Sequence, residues 1–110
     1  MRNSVTVVLE RLKDMRSEFA TEPYEVGWAS EGIFFVRIED SSPPDTIVRS
    51  AVQLSADGIS WVDEGSSLVS EGLGSSFVRV SHFGGWLRLK GTVNSSSGEA
   101  RVSIQLALKE

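Results

Sequence analysis

The chain has 110 residues, a net charge of −4, three Trp, one His and no Cys. This length suffices for one hydrophobic core, and we expect residues 1–110 to form a single domain. The absence of Cys excludes disulfides, thiolate nucleophiles and Cys-based metal centres, while a single His excludes a His–His metal pair. The composition therefore favours a protein that is not an enzyme and that carries no cofactor.

The charges are spread along the chain rather than gathered in blocks. Eleven basic and fifteen acidic residues alternate, and no basic run is long enough to grip a phosphate backbone, so nucleic acid is not an expected partner. No apolar run approaches the roughly 18 residues that span a bilayer. The apolar stretch 5–9 is too short for a signal peptide and has no cleavage site. We expect a cytoplasmic or particle-enclosed protein that does not bind membranes.

The first segment of the chain is compatible with two structures. Its apolar residues 5, 7 and 9 alternate as in a strand, whereas the apolar residues 9, 12, 15 and 19 are spaced like one face of a helix. We favour a strand over residues 4–12, followed by a short helical turn or loop that Pro23 ends. The alternative is one amphipathic helix over residues 5–20.

Short runs rich in Val, Ile, Phe and Trp follow, separated by clusters of Ser, Gly, Pro, Asn and Asp that favour turns. Strands are predicted at 25–28, 33–39, 46–55, 61–62, 77–83, 85–93 and 100–109. The last of these alternates without error between apolar and polar residues, and a loop at 94–98 is expected to join it to 85–93 as a hairpin. Gly84-Gly85 is either a tight turn or a bulge.

Apolar residues occupy both faces of the predicted strand 33–39. Phe34 and Val36 face one side, and Ile33 and Phe35 face the other. Such a strand is either central or part of an interface between subunits. Taken together, the pattern predicts an all-β protein: a single antiparallel β-sandwich of jelly-roll type with about eight short strands and room for a short N-terminal helical turn.

The sharpest local motif is the turn from Ser55 to Trp61. Its Asp57-Gly58 pair predicts a type I′ hairpin turn, the Ser and Asp oxygens can accept hydrogen bonds from loop amides, and Trp61 can pack beneath. The motif resembles the S-x-D-G-x-x-W turn of discoidin-like (galactose-binding-like) jelly rolls and a shortened Asp-box turn of propeller sialidases. It is also similar to turns in small uncharacterised β-sandwich domains of bacteria and phages.

This resemblance extends over residues 50–108 and implies a β-sandwich. The chain is shorter than discoidin-like domains and lacks their paired Cys, and no ligand-loop residue matches. We therefore expect the turn residues Ser55, Asp57, Gly58 and Trp61 to have a structural role.

An outward face is predicted around Trp86. This residue alternates in phase with Arg88 and Lys90, opposite Leu87 and Leu89, and the hairpin would place Arg101 beside it. Such a face can stack a sugar on Trp86, or a neighbouring subunit can cover it, because aromatic residues and Arg are enriched at interfaces. We favour the subunit. The candidate interface or ligand residues are Trp86, Arg88, Arg101, Ile33 and Phe35.

Two other groups of residues have side chains that occur in catalytic or metal sites. His82 is in phase with Val80 and is expected on the inner face, where it is a structural residue rather than the base for Ser81. The acidic loop 40–45 lacks the spacing of a calcium loop and is expected to be a solvated turn. No catalytic, cofactor-binding or metal-binding residue is predicted.

The leading hypothesis is a non-catalytic structural or assembly subunit that acts as a homo-oligomer, with a trimer as the first guess. The alternative is a carbohydrate-binding module that uses an exposed Trp as a stacking platform.

Overall fold

The structure is a computed structural model that describes residues 4–110. Within that range every strand pair is antiparallel, and there is no helix, hence none long and apolar enough to cross a membrane. The strands are β1 (Ser4–Ala20), β2 (Tyr24–Glu25), β3 (Glu31–Ile38), β4 (Ile47–Ser55), β5 (Val62–Glu71), β6 (Gly74–Ser81), β7 (Trp86–Asn94) and β8 (Glu99–Lys109).

These strands form one continuous path in the order β5-β4-β7-β1-β8-β3-β6, and β2 pairs with β7 beside it. The two end strands, β5 and β6, approach each other where Ser70 Oγ lies 2.6 Å from Ser76 Oγ. The sheet is therefore nearly closed and barrel-like. The prediction of an all-β protein with about eight strands is confirmed.

The long strand β1 divides this path into two halves. Its residues 4–16 pair with β8, and its residues 17–20 pair with β7. We call the first group of strands the β8 half (β1 residues 4–16, β8, β3 and β6) and the second the β7 half (β1 residues 17–20, β7, β4, β5 and β2). Ser17, the first residue that pairs with β7, has a φ of 42°. The change of partner thus coincides with a left-handed backbone conformation.

Both helical expectations for the N-terminal segment are wrong, because residues 4–20 form one strand. The helix-like spacing has another cause. The pairing of β1 with β8 shifts register between Val8 and Glu10 and again between Glu10 and Lys13, and such bulges insert residues that reset the alternation of side chains. Met15 is therefore buried, whereas Leu12 is 51% exposed and has a φ of 48°.

The hydrophobic core lies between the two halves. Alternate residues of β3, β4, β7 and β8 face it, as the alternation in residues 100–109 predicts. The largest fully buried side chains are those of Phe34, Ile38, Leu87, Leu89, Ile104, Leu106 and Leu108. Full burial of one such side chain contributes about 1.5–3 kcal/mol to the stability of the folded state.

The predicted hairpin between β7 and β8 is not formed. β1 lies between these two strands in the sheet, and the turn in which Gly98 N donates to Ser95 O (3.1 Å) connects the two halves instead. The alternation of apolar residues is the same in a hairpin and in a connection between two layers. The sequence pattern therefore could not distinguish them.

β5 is much longer than predicted. It extends from Val62 to Glu71, so residues 64–67, which have the composition of a turn, lie inside a strand. Gly65 has a φ of 114°, and the pairing with β4 shifts register between Ala51 and Gln53. A polar, bulged strand at the end of the sheet lacks the apolar alternation on which the prediction depends. β2 is also shorter than predicted.

Candidate functional site

The outward surface of the β8 half carries four apolar side chains, of which three are exposed and Phe35 is half-buried. Phe35 and Phe77 are directly paired across β3 and β6, with ring centroids 6.2 Å apart. Phe77 is 47% exposed and Val8 is 51% exposed, and Leu12 lies in the same groove as Val8 and Phe35. We call these four residues, Val8, Leu12, Phe35 and Phe77, the outer apolar strip.

A polar cluster borders this strip within a groove of about 560 Å³. Glu39 accepts hydrogen bonds from Ser103 Oγ and from Arg37 Nε, each at 2.8 Å. The hydrogen bond from Ser103, followed by that from Arg37, lowers the pKa of Glu39. Ser103 Oγ also accepts a hydrogen bond from the backbone N–H of Leu12 at 2.9 Å. The cluster therefore fixes the strained backbone that presents Leu12 to solvent.

Arg88 lies on the outward surface of the opposite, β7 half. Its guanidinium carbon is 4.3 Å from the ring centroid of Trp61, and its Nε donates to Gln53 Oε1 at 2.8 Å. Gln53 Nε2 in turn donates to Asp63 Oδ1 at 3.0 Å. This surface therefore places a guanidinium, an amide and a carboxylate in one hydrogen-bonded row beside the indole ring of Trp61.

The turn between β4 and β5 is built by hydrogen bonds from side chains. Ser55 Oγ donates to Asp57 Oδ1 at 2.9 Å and accepts from Gly58 N at 2.8 Å. Asp57 Oδ1 accepts from Ile59 N at 2.8 Å and from Ser60 N at 3.0 Å. The hydrogen bond from Ser60 N–H, followed by that from Ile59 N–H, lowers the pKa of Asp57.

This turn differs from the predicted one in two respects. Gly58 has a φ of 80°, but Asp57 does not share the left-handed conformation that a type I′ turn requires at both positions. The indole that packs against Gly58 is that of Trp86, whereas Trp61 packs against Arg88. Trp86 is therefore half-buried, with one side of its ring covered by the turn.

The connection between β6 and β7 corrects two expectations. His82 is exposed and has a φ of 56°, so it does not face the core. Gly84 and Gly85 lie in a four-residue connection, neither a tight two-residue turn nor a bulge within a strand. Gly85 has a φ of 75°, and a Cβ there would overlap the carbonyl oxygen of Ser55. This glycine allows the connection to lie directly against the end of β4.

The acidic loop between β3 and β4 is held by a hydrogen bond within the loop and by one from the connection between β7 and β8. Thr46 Oγ1 donates to Pro43 O at 2.6 Å, and Asp45 Oδ1 accepts from Ser96 N at 3.2 Å. Among residues 4–110 no group of three or more His, Asp and Glu side chains is placed to hold a metal ion.

The five candidate interface residues fall on two different surfaces. Ile33, Phe35 and Arg101 belong to the β8 half, where Arg101 Nε donates to Asp14 Oδ1 at 2.9 Å. Trp86 and Arg88 belong to the β7 half. The expected single face with Arg101 beside Trp86 is not formed, because it depended on the hairpin of β7 with β8.

Three residues of the outer apolar strip were missed by the sequence analysis. Phe77 carries a usable signal, because it alternates with Val78 and so faces outward from β6. Val8 and Leu12 carry no such signal, because their direction depends on bulges whose positions the sequence pattern does not mark.

No known family model matches this chain, and no curated protein matches it. Solved structures with a similar fold are found. The PBSX exported protein XepA matches with a TM-score of 0.62 and 6% identity over 98% of this chain and 36% of XepA. This chain thus spans about a third of the length of that protein.

Two further structures cover most of both chains. A protein of Bacillus endospore appendages, which form disulfide-linked pili, matches with a TM-score of 0.56 and 7% identity over 99% of this chain and 85% of that chain. The CBM36-1 domain of a xylanase from the hindgut metagenome of Trinervitermes trinervoides matches with a TM-score of 0.51 and 12% identity over 96% of each chain.

The same fold also occurs in the prophage-derived protein YomS and in broad bean stain virus. The resemblance to small bacterial and phage β-proteins is therefore confirmed at the level of the fold. Identities this low carry no conclusion about activity.

Proposed function

We propose that this chain is a non-catalytic structural or assembly subunit that works as a homo-oligomer. The observation that carries the proposal is the outer apolar strip. Single exposed apolar residues are normal on a monomer, but here four apolar residues lie close together on one face around a groove, with Gln105 of β8 between Val8 and Phe35, and such a cluster is typical of an interaction surface. The ring pair of Phe35 and Phe77 provides the aromatic area that interfaces favour.

The proposed architecture is a single-domain jelly-roll sandwich whose two layers are the β8 half and the β7 half. Its support is the strand order, β1-β8-β3-β6 in one half and β2-β7-β4-β5 in the other. Two sheets of four antiparallel strands are the arrangement of a jelly roll.

The nature of the similar structures supports an assembly role. They include pili and a virus, and a chain of this kind is expected in a particle or other assembly. The pili are disulfide-linked, whereas this chain has no Cys. Its association would therefore depend on non-covalent contacts alone, and a cyclic trimer remains the first guess.

The test is to measure the molecular mass of the protein in solution. Light scattering and native mass spectrometry over a concentration series should show a multiple of the single-chain mass. Leu12→Ser should shift this equilibrium towards monomer, because it removes an exposed apolar group from the strip. Ile59→Ser is the matched control, since Ile59 is 81% exposed but lies in the turn after β4. A wild-type protein that stays monomeric at every concentration would contradict the proposal.

A carbohydrate-binding module is the second candidate. It is supported by the Trp61, Arg88, Gln53 and Asp63 array and by the fold of the CBM36-1 domain. An indole beside hydrogen-bonding side chains can stack a sugar ring. The oligomeric subunit would use the outer apolar strip, whereas the carbohydrate-binding module would use the surface around Trp61. Quenching of Trp fluorescence by a glycan, lost in Trp61→Ala, would favour the carbohydrate-binding module.

A further inference from the structure

We infer that copies of this chain associate head to tail, with the free edge of β1 in one copy paired to the free edge of β6 in the next. This inference rests on the proposed function, which itself requires only that copies associate. It adds the two elements that meet, their relative direction and the class of assembly that results.

Both edges are open in the described chain. Residues 4–9 of β1 pair with β8 on one side and with no strand on the other, and β6 pairs only with β3. β5 approaches β6 where Ser70 Oγ meets Ser76 Oγ, and further along Glu64 and Ser66 of β5 line one groove with Arg79 of β6, but no strand pairing joins β5 to β6 among residues 4–110. Each open edge presents a row of backbone N–H and C=O groups, which is a template for another strand.

The edge of β1 lacks the features that normally block such pairing. Residues 4–9 contain no charge, Gly or Pro, and the first register shift with β8 follows Val8. Val5 is 41% exposed and Val8 is 51% exposed, so apolar groups are accessible on both faces of this edge. Charged residues and bulges, which protect natural edges, begin only at Glu10.

Charge favours β6 over β5 as the second edge. β5 carries Asp63, Glu64 and Glu71 and no cation. A strand added there would face three carboxylates. β6 carries one charge, Arg79, whose guanidinium carbon lies 5.0 Å from the ring centroid of Phe77. The edge of β6 is therefore the less charged of the two and carries the most exposed aromatic ring.

Strand direction selects head-to-tail contact. All neighbours in the order β1-β8-β3-β6 are antiparallel, so β1 and β6 run in opposite directions. A second copy placed beside the first in the same orientation brings its β6 against β1 as an antiparallel pair, with outer faces aligned. Phe77 of one copy then lies near Val8 of the next. A two-fold pairing of β1 with β1 would leave Phe77 exposed.

The size of this contact predicts how the assembly behaves. Six paired residues span only about 20 Å, so a contact between two strand edges of this length is small beside the roughly 1,200 Å² of stable interfaces. A single contact is weak. Repeated in the same orientation, this contact gives an open filament whose inner copies each make two contacts, and it gives a closed ring only if successive copies are rotated about a common axis.

The decisive experiment mixes two variants, in each of which a new charge blocks one of the two strand edges. Val8→Lys places a charge at the β1 edge, and Phe77→Lys places one at the β6 edge. Each variant alone should be monomeric. At concentrations above those at which the wild type assembles, a mixture of equal parts should give heterodimers and nothing larger, because one intact β6 edge meets one intact β1 edge through a single weak contact. Native mass spectrometry and sedimentation over a concentration series measure this, and Ile59→Lys is the control that should assemble like the wild type.

Each other outcome overturns the inference in a recognisable way. A wild-type oligomer that either single variant leaves intact shows that copies associate through another surface, so the inference fails while the proposed function stands. A mixture of the two monomeric variants that stays monomeric even at concentrations far above those at which the wild type assembles also excludes head-to-tail pairing. A monomeric wild type defeats both proposals. Circular dichroism and thermal melting of each variant establish that it is folded.

Discussion

Asp57 connects the ends of β4 and β5 through a carboxylate that accepts two backbone hydrogen bonds. The lowered pKa of this group means that its ionised form stabilises the folded state. That contribution is complete above the ordinary Asp pKa of about 3.9 and is lost as the pH falls through the lower pKa of the folded state.

We therefore predict that Asp57→Asn lowers the melting temperature at neutral pH and that its difference from the wild type narrows as the pH falls below about 4. Thermal melts followed by circular dichroism over a pH series measure this. Asp40→Asn, at an exposed position in another loop, is the control and should show no comparable narrowing. A difference that is constant with pH would mean that the charge of Asp57 is irrelevant.

For single residues, the sequence predicted which side chains form hydrogen bonds better than it predicted which distant residues they contact. The Ser and Asp oxygens that cap the turn follow from residue type, because these side chains commonly bond nearby amides. Which indole packs against the turn does not follow. Trp86 reaches Gly58 only because β7 is paired with β4, a contact between distant segments that local pattern does not encode.

Among the elements, β1 has the most unusual backbone. Ser17 has a φ of 42° at the residue where β1 changes partner from β8 to β7. A left-handed conformation costs a non-glycine residue about 1–2 kcal/mol, and this change of partner requires the chain to turn there.

Ser17→Gly should therefore raise the free energy of unfolding by about 0.5–1 kcal/mol, because relief of the strain exceeds the entropic cost of glycine, roughly 0.5–1 kcal/mol. Ser67→Gly in β5 is the matched control. It has an ordinary strand conformation and should lose about 0.5–1 kcal/mol. Chemical denaturation measures both, and destabilisation by both changes to the same extent would refute a strained Ser17.

The elements also show where sequence patterns succeed and fail. β3, β4, β7 and β8 were predicted within a few residues, because each alternates cleanly between core and solvent. β5 is polar and bulged, and β1 is interrupted by two register shifts, so neither shows a regular period. Two of the three residues of the outer apolar strip that were not predicted, Val8 and Leu12, lie in β1, where the register shifts hide their direction.

In the whole molecule, β1 pairs with strands of both halves, and the core is shared between them. We predict a single cooperative unfolding transition. Trp61 and Trp86 lie in or beside the β7 half, whereas Trp28 lies in the connection from β2 to β3. In a Trp28→Phe background, Trp fluorescence therefore reports on the β7 half, while far-UV circular dichroism reports on both halves. Phe34, in the β8 half, is fully buried.

Phe34→Ala should lower the free energy of unfolding by about 3–5 kcal/mol. If the halves unfold together, the denaturation midpoint should shift equally by fluorescence and by circular dichroism. Phe77→Ala, at an exposed position of the same half, should shift both midpoints only slightly. Fluorescence and circular dichroism transitions that separate in Phe34→Ala would show that the two halves are independent.

The position of β8 in the sequence has a consequence for biosynthesis. β8 lies between β1 and β3 and supplies four of the buried aliphatic side chains, Val102, Ile104, Leu106 and Leu108. β1 and β3 are synthesised long before it and pair with it across most of the chain. A ribosome-bound nascent chain therefore cannot complete its β8 half until β8 has left the exit tunnel. Until then the apolar faces of β1 and β3 are uncovered, so the newly made chain depends on rapid pairing with β8 or on a chaperone to avoid aggregation.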